Sequence, residues 1–217
     1  SARWEKNEVV FPKYDLHAPN RSAQVYFVDV PNAKQSEIRV GYLALPKTHP
    51  DFFPAQVMNI NLGAHPSSIF ESVLRSEKGF TYAARSYFIG NKYSGIYIAL
   101  SGVRSNSTEE SLLTFKEILT NYRKTILQED LEFAKNKELK SNARRFETLG
   151  ALRGMISNIA TYDLPFDYIK DQEEIVRNMT IDSHNALAKK YIRPDEMIYL
   201  VVGDAATQLE GMKSLGF

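Results

Sequence analysis

The stretch ESVLRSEKGFTYAARSYF, Glu71 to Phe88, changes its periodicity half-way along. At 100° per residue Ile69, Phe70, Val73 and Leu74 fall on one side of a helix and Arg75 lies roughly opposite them. Ser68 and Glu71 have the spacing of a capping box and Gly79 sits at the C-terminal stop, so a helix is expected over about 67–78. From residue 81 the pattern alternates as a strand does, expected over 81–89. Tyr82, Ala84, Ser86 and Phe88 share one face, and Thr81, Ala83, Arg85 and Tyr87 share the other. On periodicity alone Arg75 is an exposed helix cation and Tyr82 an ordinary strand aromatic.

Outward from this stretch the chain mixes strands and helices. AQVYFVDVP and SEIRVGYLALP are β-branched and aromatic runs closed by prolines, which predicts strands over 24–30 and 36–45. A helix is expected over 51–62 and another strand over 94–102, after the turn GNKYSG. Ser107 and Glu110 again have capping-box spacing, ahead of Leu112, Phe115, Leu119, Tyr122 and Ile126 at helical intervals, predicting a helix over 107–127. Residues 129–191 read as helical almost throughout, with breaks near Gly150 and at DLPFD and with Thr180 as a cap. A strand over 196–203 closes the series. Strands in pairs followed by a helical block argue for an α+β fold, an antiparallel-rich sheet covered by helices on one face.

The chain's 217 residues, 43% of them hydrophobic, can bury a sizeable core. Twenty-seven basic and 26 acidic residues are interspersed, so no broad field draws nucleic acid or an anionic membrane. There is no cysteine, which excludes disulfides, thiolate metal sites and a cysteine nucleophile and leaves the compartment open. No apolar run reaches the ~20 residues of a membrane helix. The polar, extended start containing Pro12, and a short final helical stretch with Leu209, Met212 and Leu215 that stops at Phe217, suggest a single domain over 1–217 taken from a longer chain.

Most familiar catalytic patterns are missing. His17, His49, His65 and His184 each lack a second His or a Glu at the spacing that puts two ligands on one helix face, so no zinc site is recognisable. His65 reads as a turn residue and His184 as a helix residue. Glu109-Glu110 and Glu173-Glu174 read as helix-start or solvated charges. No nucleophile elbow, phosphate loop or dinucleotide fingerprint occurs.

The block LGAHPSSIFESVLRSEKGFTYAARSYF, residues 62–88, resembles the signature of the second, non-zinc half of the pitrilysin-type metallopeptidases, which include insulinase and the mitochondrial processing peptidase. That signature is a Leu-Gly-rich turn, Ser-Ser or Ser-Arg, Leu-Phe, then Leu-Arg-x-Glu-x-Gly-x-x-Tyr. RRFETLGALRGMI, YDLPFDYI, MTIDSHNALAKKYI and MIYLVVGD resemble the family's later helices and closing strand. The glycine-rich turn of the signature is GAHP here, stiffened by His65 and Pro66.

The resemblance implies a half-barrel-like domain of the processing-peptidase type with no metal of its own. Zinc is expected in the missing catalytic half, a domain or subunit carrying His-x-x-Glu-His that would be this chain's partner, with a peptide as substrate. It further implies that Arg75 and Tyr82 bind the substrate and stabilise the oxyanion in trans, and it leans towards a bacterial periplasmic or envelope location. Strand 94–102 or the edge of strand 24–30 would then offer itself to an extended peptide. Two other readings stay open: a non-catalytic scaffold subunit, as the core proteins of the respiratory cytochrome complex are in this family, and a plain protein-binding domain.

Overall fold

The computed structural model describes residues 22–213, together with Glu8 and Val10. The extended start with Pro12, His17, and the residues from Leu215 to Phe217 lie outside the described residues.

Five strands, β1 (Gln24–Asp29), β2 (Gln35–Ala44), β3 (Thr81–Gly90), β4 (Gly95–Arg104) and β5 (Ile198–Gly203), form one sheet in the order β1-β5-β2-β4-β3. Only β1 and β5 run parallel; every other pair is antiparallel. Ser36, Ile38, Val40, Tyr97, Ala99, Ser101, Val103, Tyr199 and Val201 alternate along the strands and are buried on one face. Helices cover that face. The opposite face leaves Tyr26, Val28, Leu43, Tyr87, Ile89 and Ile96 exposed. The α+β reading therefore holds, with an antiparallel-rich sheet and helices on one side.

Helix α1 (Phe52–Leu62) contacts β3 on one side and α4 (Gln128–Ser141), α6 (Tyr168–Asn178) and α7 (Ile181–Tyr191) on others. Packed from several directions, it buries Phe52, Ala55, Val57, Met58, Ile60 and Leu62 and lacks a polar face. Thr180 caps α7 as expected, accepting from the Ser183 N–H at 3.2 Å. Helix α3 (Thr108–Tyr122) is anchored by Phe115, whose ring centroid lies 4.9 Å from that of Phe70. It ends five residues before the expected 127, and Ile126 is buried from the loop that follows. The break expected near Gly150 falls earlier, in a 3-10 turn over Asn142–Phe146, and α5 (Leu149–Tyr162) runs through Gly150. A final helix, α8 (Ala205–Lys213), follows β5. No helix among the described residues is long and apolar enough to cross a membrane.

Strand β4, expected as a possible docking edge, lies inside the sheet between β2 and β3. The outermost strands are β1 and β3. Much of the backbone of β3 that faces away from β4 is already satisfied from the helical layer. Gly63 O accepts from the Ser86 N–H at 3.1 Å, Asn59 donates to Ser86 O at 2.8 Å, and Gln56 donates to Phe88 O at 3.2 Å. Gly63 has to be glycine here, because a Cβ would stand 2.1 Å from Ser86 Oγ. Side chains and a turn thus replace a sixth strand, which is one way a sheet protects an edge from further pairing.

Candidate functional site

The helix that carries Arg75 is irregular. A short α2 (Ile69–Glu71) widens into a π-helical segment, Ser72–Glu77, a rare form that recurs at functional sites. The exit is correspondingly one residue wider than that of an α-helix: the Lys78 N–H bonds to Val73 O, and the Phe80 N–H reaches Leu74 O. Gly79 takes φ +63°, a left-handed value natural for glycine, and turns the chain into β3. Phe70 and Leu74 hold the segment to the core, both with no exposed surface.

The expected capping box is absent. Ser68 makes no side-chain capping bond and its hydroxyl is buried without a partner among the described residues. Glu71 instead turns its carboxylate towards β3. It is 2% exposed and accepts from three donors: the Ala84 N–H at 3.0 Å and Arg85 Nη1, both at Oε2, and Arg75 Nη1 at 2.8 Å, at Oε1. Burial pushes its pKa up, but the Ala84 N–H, Arg75 and Arg85 together outweigh that and hold it below the usual carboxylate value. Ser107 likewise makes no side-chain cap bond to α3, and Glu110 pairs with Lys78 at 2.8 Å.

Strand β3 begins with a bulge. Thr81 pairs with Val103 and Ala84 with Ser101, so one extra residue is accommodated at Tyr82 and Ala83. Thr81 Oγ1 stabilises the irregularity by donating to Gly102 O at 2.7 Å and accepting from the Ala83 N–H at 3.1 Å. The consequence corrects the strict alternation expected here. Ala84, Ser86 and Phe88 keep the core face, whereas Tyr82 leaves it and is 85% exposed.

Arg75 and Tyr82 are brought together: the guanidinium carbon of Arg75 lies 5.1 Å from the Tyr82 ring centroid, within cation–π range. Arg75 remains about half exposed, with 47% of its side-chain surface free. Tyr82, Thr81, Ala83, Gly79 and Arg104 line a hollow of about 450 Å³ beside the bulge. A larger cleft of about 750 Å³ lies elsewhere, between α1 and α5, and neither Arg75 nor Tyr82 lines it. The arrangement presents a fixed cation and a phenol donor side by side at the surface, groups suited to a carbonyl oxygen and to negative charge growing on it.

The three described histidines, His49, His65 and His184, serve local structure. His65 Nδ1 accepts from the Ser67 N–H at 3.1 Å, its ring meets Phe133 edge-on at 5.0 Å, and burial with nearby Lys137 and Arg85 lowers its pKa. His49 Nδ1 accepts from the Asp51 N–H at 3.0 Å. His184 is fully buried against Tyr122. Among the described residues no group of His, Cys, Asp or Glu could hold a metal ion.

Sequence reasoning missed Glu71 and Arg85 as parts of the site. Glu71 stands one helical turn before Arg75, a spacing that favours an ion pair, and this was the available signal. Nothing local marks the carboxylate as buried.

The family model described as the peptidase M16 inactive domain matches residues 2–138. No curated protein matches the chain. Solved structures do. A peptidase M16 inactive domain from Pseudomonas fluorescens has a TM-score of 0.78 at 20% identity, over 85% of this chain and 44% of that one. A protease from Helicobacter pylori has a TM-score of 0.77 at 15% identity, over 91% and 48%. The periplasmic protease PqqL from Escherichia coli has a TM-score of 0.68 at 15% identity, over 86% and 21%. At these identities the likeness concerns the fold, and the chain spans about half the length of the first two.

Proposed function

The chain belongs to the peptidase M16 inactive-domain family, and from that premise we propose that it is the substrate-binding half of a zinc endopeptidase whose metal site lies on another domain or subunit. The observation that carries this reading is the meeting of Arg75 with Tyr82. They stand on different elements, and Tyr82 is released from the core face by a bulge and left exposed beneath a guanidinium. A scaffold needs neither group at its surface, so the pair favours a role in catalysis over a purely architectural one.

The zinc of the other half would supply the activation of water. The residues of this chain bind and orient: Arg75 can hold a peptide carbonyl through its guanidinium donors, and the Tyr82 hydroxyl can donate to the carbonyl oxygen as charge builds on it. The uncovered apolar face of the sheet would form one wall of the substrate chamber. With β4 internal and β3 served by α1, β1 is, among the described residues, the strand edge left for an extended peptide.

The test combines this chain with its zinc half and follows peptide cleavage. Arg75→Ala is expected to lower kcat/KM by about 10²-fold with zinc content unchanged. Its melting temperature should move only slightly, since Glu71 keeps the Ala84 N–H and Arg85. Cleavage at the wild-type rate would overturn the assignment.

A further inference from the structure

Glu71 divides its two oxygens between different tasks. Oε2 accepts from the Ala84 N–H and from Arg85, which satisfies an outward-facing backbone donor of β3 and belongs to the fold. Among the described residues Oε1 accepts only from Arg75, on its own helix one turn later. A buried carboxylate must be partnered, yet Oε2 already has two donors, and Arg75 is half exposed and unneeded by the core. The Oε1 arm therefore does little for β3. What it does is fix a long, flexible, solvent-facing side chain in one direction, and that direction brings the guanidinium over the Tyr82 ring.

The carboxylate also spans the turn at Gly79. Its donors come from both sides, Arg75 from the π-helical segment and Ala84 and Arg85 from β3. One group thus sets the distance between the element that carries Arg75 and the bulged strand that carries Tyr82. Two guanidinium groups share a single carboxylate, so the cluster keeps a surplus positive charge beside the phenol. A carbonyl oxygen gaining charge would meet that surplus without any rearrangement of the protein.

We infer that Glu71 is a positioning residue, which pins Arg75 over Tyr82 so that the donor pair is assembled before a peptide arrives. The inference rests on the reading of Arg75 and Tyr82 as substrate-facing groups. Misplacing a positioned group by about 1 Å can cost ~10²-fold in rate, and loss of a supporting residue behind a functional group ~10–100-fold.

A double-mutant cycle in the enzyme with its zinc half tests it. Glu71→Gln should lower kcat/KM by about 10–100-fold, and Glu71→Gln with Arg75→Ala should be no worse than Arg75→Ala alone, because Glu71 acts through Arg75. Wild-type activity in Arg75→Ala would sink the underlying reading and this inference with it. An impaired Arg75→Ala beside a normal Glu71→Gln, or losses that multiply in the double variant, would leave that reading standing and overturn the positioning role. A measurement on the wild-type chain needs no variant to fold. The Arg75 Nη protons should give separate, slowly exchanging NMR signals with cross-peaks to the Tyr82 ring, and a single averaged Arg75 signal without such cross-peaks refutes the clamp.

Discussion

Glu71 and His184 are both ionisable side chains buried in helices, and both have a pKa below the ordinary value, yet the two shifts mean opposite things. For His184 burial dominates and drives the imidazole towards its neutral form. Its Nε2 lies 3.2 Å from the Tyr122 hydroxyl, which donates to Met58 O at 2.6 Å in the middle of the helical layer. For Glu71 burial works the other way and loses to the Ala84 N–H, Arg75 and Arg85, so the group is kept charged. A neutral group packed by its neighbours serves the core, whereas a charged one held by cations can organise a surface. The first is isolated from solvent chemistry; the second reaches it through Arg75.

The largest expected effect breaks the core side of this contrast. Tyr122→Ala removes a buried ring and leaves a cavity beside His184 and Met58, which should cost about 3–5 kcal/mol in urea unfolding. The Arg75–Tyr82 contact should survive in the fraction that remains folded, because the hydroxyl of Tyr122 is engaged by Met58 and His184, away from the Glu71 carboxylate that holds Arg75. A loss below about 1 kcal/mol would mean the helical layer is far less tightly packed than its burial implies.

Next in size are two acid transitions that separate the partners by pH. For His184 the folded pKa lies below the unfolded value of 6.5. Above 6.5 both states are neutral, and below it the unfolded state takes up the proton first, so stability falls as pH drops through 6.5. His65 has the same sign and adds to this step. For Glu71 the folded pKa lies below 4.5, so its contribution is complete above 4.5 and is lost as pH falls below it towards the folded value. Asp51, paired with Lys190 and Tyr191, acts in the same direction. Melting temperature followed from pH 8 to 3 should therefore fall in two windows. His184→Gln should flatten the upper one and Glu71→Gln the lower. Neither variant altering its own window would refute the assignment.

The smallest effect is on stability at the site itself. Tyr82→Phe removes one hydroxyl from a ring that is mostly in solvent, and unfolding free energy should change by less than about 0.5 kcal/mol. A larger change would make Tyr82 a structural residue and erase the contrast with Tyr122.

The parts of this arrangement legible in the sequence are those written in local periodicity. The strand at Ile38–Val40, the stop at Gly79, the cap at Thr180 and the outward direction of Arg75 all follow from neighbours within a turn or two. What escaped depends on distant partners. Ser68 and Glu71 have capping-box spacing, but Ala84 and Arg85, more than ten residues on, take the carboxylate instead. The alternation through Tyr82 failed for the same reason: the bulge answers to Thr81 bonding with Gly102 on β4. Strand 95–104 reads as well for an edge as for a centre, and only its pairing with both β2 and β3 decides. The roles proposed for Arg75 and Tyr82 rest on a motif match; their proximity is a fact of the fold.

In the proposed function the exposed Tyr82 donates to a peptide held at a zinc site elsewhere. The most direct measurement is the turnover of Tyr82→Phe with the zinc half present, alongside zinc content and melting temperature. A fall of ~10²–10³-fold in kcat is expected, with zinc content and melting temperature at wild-type values. Wild-type turnover would contradict it, because the hydroxyl is the only group the substitution removes.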